Sequence, residues 1–86
     1  MSSVTVRYWA AAKEAAGTGE EIVSASTLAD AIEAIRSSRA DDTRFHNVLK
    51  RSTFLVDSTP VGKRTHETVL LPEGAVIEVL PAFAGG

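Results

Sequence analysis

The sequence predicts an α+β roll, a mixed sheet crossed on one face by one main helix. Three observations predict it. Two β-rich segments near the N-terminus flank a short alanine-rich stretch and a glycine turn. One later segment carries a long apolar stripe at helical spacing. The remaining β-rich segments are short, and proline and glycine separate them.

Val4-Thr-Val-Arg-Tyr-Trp9 alternates and reads as the first strand. Val4, Val6 and Tyr8 share one face, and Thr5, Arg7 and Trp9 the other. Ala10–Ala16 is rich in the best helix former and stops at Gly17, so one or two helical turns are expected. Gly17-Thr-Gly19 is a turn, and Glu20–Ser24 a second strand that pairs back on the first. Thr27 can cap the next helix, with Asp30 in its first turn, where negative charge suits the dipole. Leu28, Ala31, Ile32 and Ile35 then form one apolar stripe of a helix over about 27–38. A polar loop, Ser37–Thr43, leads to a shorter amphipathic segment with Phe45, Val48 and Leu49 on one side.

Thr53–Asp57 reads as a third strand, broken by Ser58-Thr-Pro60 and Gly62. Val61–Thr68 carries no assignable period. Val69–Leu71 reads as a short strand or bridge. Pro72-Glu-Gly74 is a turn in which Gly74 suits positive φ, and Ala75–Leu80 is the last strand. Residues 1–80 are thus expected to form one domain, and residues 81–86 a flexible C-terminal tail.

Composition narrows the function. Eighty-six residues support one small core. A hydrophobic fraction of 44% and a charged fraction of 23% fit a globular protein. A net charge of -2 argues against a nucleic-acid partner. No apolar run reaches membrane-spanning length, so no membrane partner is expected. No secretory signal is read, and a cytoplasmic location is expected. Cysteine is absent, which excludes a thiolate nucleophile and a cysteine metal site. His46 and His66 lack metal-motif spacing and read as surface residues. No phosphate loop, nucleophile elbow or zinc-helix motif is present. Glu20-Glu21 beside the turn is expected to face solvent. The basic pairs Lys50-Arg51 and Lys63-Arg64 read as solubilising charge or as docking points for an acidic partner surface.

The remaining chemistry lies in Pro81-Ala82-Phe83-Ala84-Gly85-Gly86. Pro81 has no N–H, so the ladder is expected to end at Leu80. The following residues can extend by about 20 Å at about 3.3 Å each. A diglycine is thin, and its backbone can approach another surface closely. Phe83 reads as an anchor in a partner pocket, with a fold-back onto the domain as the alternative. A carboxylate at Gly86 is a poor electrophile until it is activated, for example as an acyl-adenylate. After that, either an amine or a sulfur donor can attack it.

With strand order and tail together, the chain resembles the MoaD/ThiS family of ubiquitin-like sulfur carriers, most closely its molybdopterin synthase small-subunit branch. The resemblance is carried by residues 4–17, by Thr27-Leu-Ala-Asp-Ala-Ile, by Phe54-Leu-Val-Asp57 and by Ile77-Glu-Val-Leu-Pro-Ala-Phe-Ala-Gly-Gly86. It implies a β-grasp (ubiquitin-like) fold, α+β with a mixed sheet and one main crossing helix. It implies that the Gly86 carboxylate is adenylated by a MoeB-like E1 enzyme, which uses the ATP, and is converted to a thiocarboxylate. The tail then enters the active site of a MoaE-like large subunit, in a heterotetramer, and gives sulfur to cyclic pyranopterin monophosphate. The carrier itself binds no cofactor or metal on this reading, and the catalytic residues lie in the large subunit. The partner-binding residues are expected to be Leu55, Leu80, Pro81, Phe83, Ala84 and Gly85, with Trp9, Leu55 and Leu80 forming an outer apolar patch. Related carriers serve thiamine or cysteine synthesis, and others become protein modifiers. A purely structural domain is the remaining alternative.

Overall fold

The computed structural model describes residues 1–82. Strand β1 (Ser2–Tyr8) leads into helix α1 (Ala10–Ala16), and β2 (Glu20–Ala25) returns antiparallel beside β1. Helix α2 (Leu28–Ser37) crosses the sheet, and α3 (Thr43–Lys50) leads into β3 (Ser52–Val56). A two-residue strand β4 (Thr59–Pro60), a 3-10 turn at His66–Thr68 and strand β5 (Val76–Pro81) complete the order. The sheet runs β2-β1-β5-β3-β4, with β5 central, parallel to β1 and antiparallel to β3. This is the β-grasp arrangement that the resemblance implies.

Local chemistry explains these elements. Gly17 closes α1 at φ 79°, a left-handed conformation that costs a glycine little. The Thr27 hydroxyl accepts the Asp30 N–H at 3.2 Å, as expected of a cap. Asp42 caps α3 in the same way, accepting the Phe45 N–H at 2.9 Å. Gly74 takes φ 81° in the turn before β5.

One face of the sheet forms the core. Val4, Val6 and Tyr8 of β1, Phe54 of β3, and Ile77 and Val79 of β5 are buried beneath the helices. Leu28, Ala31 and Ile35 of α2 and Phe45 and Leu49 of α3 cover them. Ile32 of the α2 stripe is only partly buried. Val69 and Leu71 are also buried, while Leu70 between them is exposed and bridges to Thr27.

Three expectations change. Ser58–Pro60 does not simply end β3. Asp57 and Ser58 adopt φ 49° and 70°, a primed two-residue turn that folds Thr59–Pro60 back as β4. Asp57 secures this hairpin to β5: its N–H donates to Val76 O at 2.8 Å, and its Oδ1 accepts Val76 N–H at 2.9 Å. The ladder also runs past Leu80. Pro81 lies opposite Ser52, and Ala82 N–H donates to Arg51 O at 3.2 Å. Alternation along β5 points the Pro81 nitrogen toward β1, which has already left the sheet at Tyr8, so the missing N–H costs no ladder bond.

The third correction is Glu21, which turns inward instead of facing solvent. It lies opposite Val6, on the helix side of the sheet. It accepts the Tyr8 hydroxyl at 2.6 Å and pairs with Arg39 at 2.8 Å. Arg39 stacks over the Phe45 ring at 4.6 Å and the Tyr8 ring at 5.6 Å, and it donates to Ala16 O at 3.2 Å. Tyr8 and Phe45 meet edge to face at 5.8 Å.

Burial, followed by the hydrogen bond to Glu21 and the Glu21 charge, pushes the Tyr8 hydroxyl well above its ordinary pKa, with Arg39 opposing. Stability from keeping Tyr8 neutral is therefore present below the unfolded value of about 10 and is lost as pH rises beyond it. The unfolding free energy from urea titrations should fall above pH about 10, by up to ~1.4 kcal/mol per pH unit. Tyr8→Phe should flatten that fall while costing about 1 kcal/mol at neutral pH. Tyr8 is the only tyrosine, so its phenolate absorbance reports the event directly. Phenolate appearing well before unfolding would contradict the prediction.

Candidate functional site

The site is the end of β5. As the central strand, β5 delivers Pro81 and Ala82 between the end of β1 and the start of β3. The end of α3 stands alongside, and its exposed Lys50 and Arg51 flank the exit, with the Arg51 carbonyl holding Ala82. Lys50 also suits the C-terminal end of the α3 dipole, which is its plain structural role. The expected site residues Phe83, Ala84, Gly85 and Gly86 lie outside the described residues.

The outer sheet face beside this exit is apolar. Leu80 lies opposite Thr53, and Leu55 opposite Glu78, so the two leucines are diagonal neighbours across β5 and β3. Both are partly exposed. Trp9 follows Tyr8, which pairs with Val79, so it stands beside Leu80 on the outer face and is 48% exposed. The expected trio therefore shares one face, at the end from which the tail leaves. A charged band borders the patch on that face: Arg7 and Glu20 pair at 3.4 Å, and Glu78 lies beside Arg7. An apolar patch bounded by charge has the make-up of a protein interface.

The other titratable candidates have structural work. Glu20 pairs with Arg7, and Glu21 belongs to the Tyr8–Arg39 cluster. His46 Nε2 lies 3.2 Å from Arg36 O, and His66 packs edge-on against Phe54 at 5.6 Å. Both rings are only partly exposed, more enclosed than surface residues are expected to be. Arg64 of the second basic pair donates to Val61 O and Pro60 O, each at 3.1 Å. Among the described residues no three His, Asp or Glu side chains are grouped to hold a metal, and no helix is long and apolar enough to cross a membrane.

Sequence reasoning missed the Tyr8–Glu21–Arg39 cluster. One signal was available: an inward-facing tyrosine requires a partner for its hydroxyl. Arg39 offered none, because it sits in a loop without periodicity.

Comparison with known proteins places this geometry. A sequence model of the ThiS family matches residues 6–86. No curated protein sequence matches significantly. Among solved structures, the chain is similar to small archaeal modifier protein 1 from Methanosarcina acetivorans, with TM-score 0.82, 21% identity, and coverage of 100% of this chain and 98% of that one. Subunit 1 and 2 of molybdopterin-converting factor from Helicobacter pylori, solved as a protein-protein complex, contains a similar chain at TM-score 0.69 and 20% identity, covering 98% and 99%. Urm1 from Trypanosoma brucei is similar at TM-score 0.72 and 13% identity, covering 98% and 95%. At these identities the structural likenesses show the fold.

Proposed function

Because the chain belongs to the ThiS family of ubiquitin-like sulfur carriers, we propose that its reactive group is the Gly86 carboxylate and that it donates sulfur as the small subunit of a molybdopterin synthase. The observation that carries this reading is the extent of the family match, which runs to Gly86 and includes the diglycine. An E1-like enzyme of the MoeB type joins the carboxylate to AMP from ATP and releases pyrophosphate. A sulfur donor then displaces AMP, leaving a thiocarboxylate. Inside a MoaE-like large subunit the thiocarboxylate sulfur passes to cyclic pyranopterin monophosphate. The carrier contributes position and reach, and the large subunit contributes catalysis. The solved complex of converting-factor subunits 1 and 2 supports a large-subunit partner.

Incubation with the cognate activating enzyme, ATP and a sulfur source tests the chemistry by intact mass. The expected product carries one oxygen replaced by sulfur at Gly86. No such exchange with active partners overturns the proposal. Complementation tests the pathway: rescue of molybdoenzyme activity is expected, and rescue of only a thiamine or cysteine requirement would reassign it. The likeness to an archaeal modifier protein motivates a second reading, in which a lysine amine attacks the adenylate and forms an isopeptide. Lysine adducts of Gly86 in cells would favour it.

The outer patch is the proposed contact with the large subunit. Leu80→Arg, at its centre, should weaken complex formation by roughly 2–4 kcal/mol, as loss of an interface hot spot does. The side chain is partly exposed, so the domain should stay folded. Calorimetric titration against the large subunit, paired with a melting curve, separates lost affinity from lost folding.

A further inference from the structure

A second surface lies on the helix side of the sheet, between α2, α3 and the β3–β4 edge, and borders the outer patch at Leu55. We propose that this groove docks an acidic amphipathic helical segment of a partner protein. Its volume of about 810 Å³ lies within the range of built ligand sites.

The floor is apolar, made by Ile32, Leu49, Phe54 and Val61. The last three are buried core residues, and Ile32 is the member of the α2 stripe that the core leaves partly uncovered. The rim carries basic side chains: Arg36 from α2, His46 and Lys50 from α3, and His66 from the 3-10 turn. Among the described residues no aspartate or glutamate lines the groove. The chain as a whole carries 11 acidic residues against 9 Lys and Arg, so the groove is opposite in sign to the protein's average. Arg36 makes an exposed contact with Glu33 at 3.7 Å, too weak to commit the guanidinium. An apolar floor within such a rim complements apolar side chains flanked by carboxylates.

The β4 edge disfavours strand addition at Pro60. Val61 N–H donates inward to Phe54 O at 3.0 Å, so alternation turns the Pro60 backbone outward. Proline has no N–H to offer, and the Pro60 carbonyl already accepts from Arg64 at 3.1 Å. An added strand would find no donor and an occupied acceptor there. At Pro60 the groove therefore offers side chains rather than backbone, the mode in which a helix is read through its i, i+3, i+4 and i+7 anchors.

Isotope-labelled full-length protein, titrated with two synthetic amphipathic helices, tests the proposal. Both peptides carry the same apolar register, flanked in one by glutamate and in the other by lysine. The glutamate peptide should shift the resonances of Ile32, Leu49, Phe54 and Val61, and the lysine peptide should not bind. The exposed pair Arg36→Glu with Lys50→Glu should weaken the glutamate peptide by roughly tenfold or more and admit the lysine peptide. Equal binding of both peptides, absence of shifts with either, or shifts centred on Leu80 and Trp9 would overturn it. So would 4-phenylbutyrate filling the groove while the peptides do not, which would mark a small-molecule site.

Discussion

Adding a single residue after Gly86 should abolish sulfur loading while leaving the fold and the melting temperature unchanged. On the proposed function, the carboxylate would move one residue beyond the position at which the activating enzyme adenylates it. The loss should be complete within detection, because an unactivated amide at Gly86 offers no leaving group. The fold should not respond, because the core is closed upstream by Ile77 and Val79, both at most 1% exposed. Intact mass after reaction with the activating enzyme gives the readout. Thiocarboxylate formation on the extended chain would show that the chemistry does not depend on Gly86. A melting temperature lowered by more than about 5 °C, equivalent to roughly 1 kcal/mol, would show that the terminus has a structural role.

Arg39→Leu should be among the most destabilising single changes outside the apolar core. Arg39 joins four elements: Glu21 of β2, the rings of Tyr8 and Phe45 from β1 and α3, and the free carbonyl of Ala16 at the end of α1. The Arg39 and Glu21 side chains are only 17% and 26% exposed, so solvent screens the pair weakly. Breaking a largely buried pair, with loss of cation–π contact, should cost about 3 kcal/mol. For a domain of this size that lowers the melting temperature by roughly 12–24 °C. Arg39→Lys should recover only part of this, because an ammonium cannot stack over Phe45, pair with Glu21 and reach Ala16 together. A double-mutant cycle with Glu21→Gln apportions the ion pair from the stacking. A shift below about 3 °C for Arg39→Leu would show that loop and solvent replace the cluster without loss.

Most of the fold was legible because local chemistry and tertiary need agree along this chain. Val4, Val6 and Tyr8 alternate inward, Leu28, Ala31 and Ile35 repeat at helical spacing, and Gly17 and Gly74 occupy the left-handed positions their turns require. The outer patch of Trp9, Leu55 and Leu80 was legible for the same reason: strand parity leaves them opposite the core residues. β4 was not legible, because two residues carry no period and Ser58 is not a usual residue at φ 70°. The inward turn of Glu21 was missed because a carboxylate beside a turn normally faces water, and its partner Arg39 is 18 positions away in an aperiodic loop.

The sequence by itself determined the order and the buried face of the long elements, and the family, because periodicity and a run of matching residues are local properties of a chain. Only the tertiary structure decided what depends on distant residues meeting. It set β5 at the sheet centre, so that Pro81 leaves between β1 and β3 beside the apolar patch. It gathered Tyr8, Glu21 and Arg39 into one cluster, and it brought Arg36, His46, Lys50 and His66 around the groove between α2, α3 and β4. These arrangements arise from pairing and packing across the fold, where burial and electrostatics act between residues that no sequence window contains together.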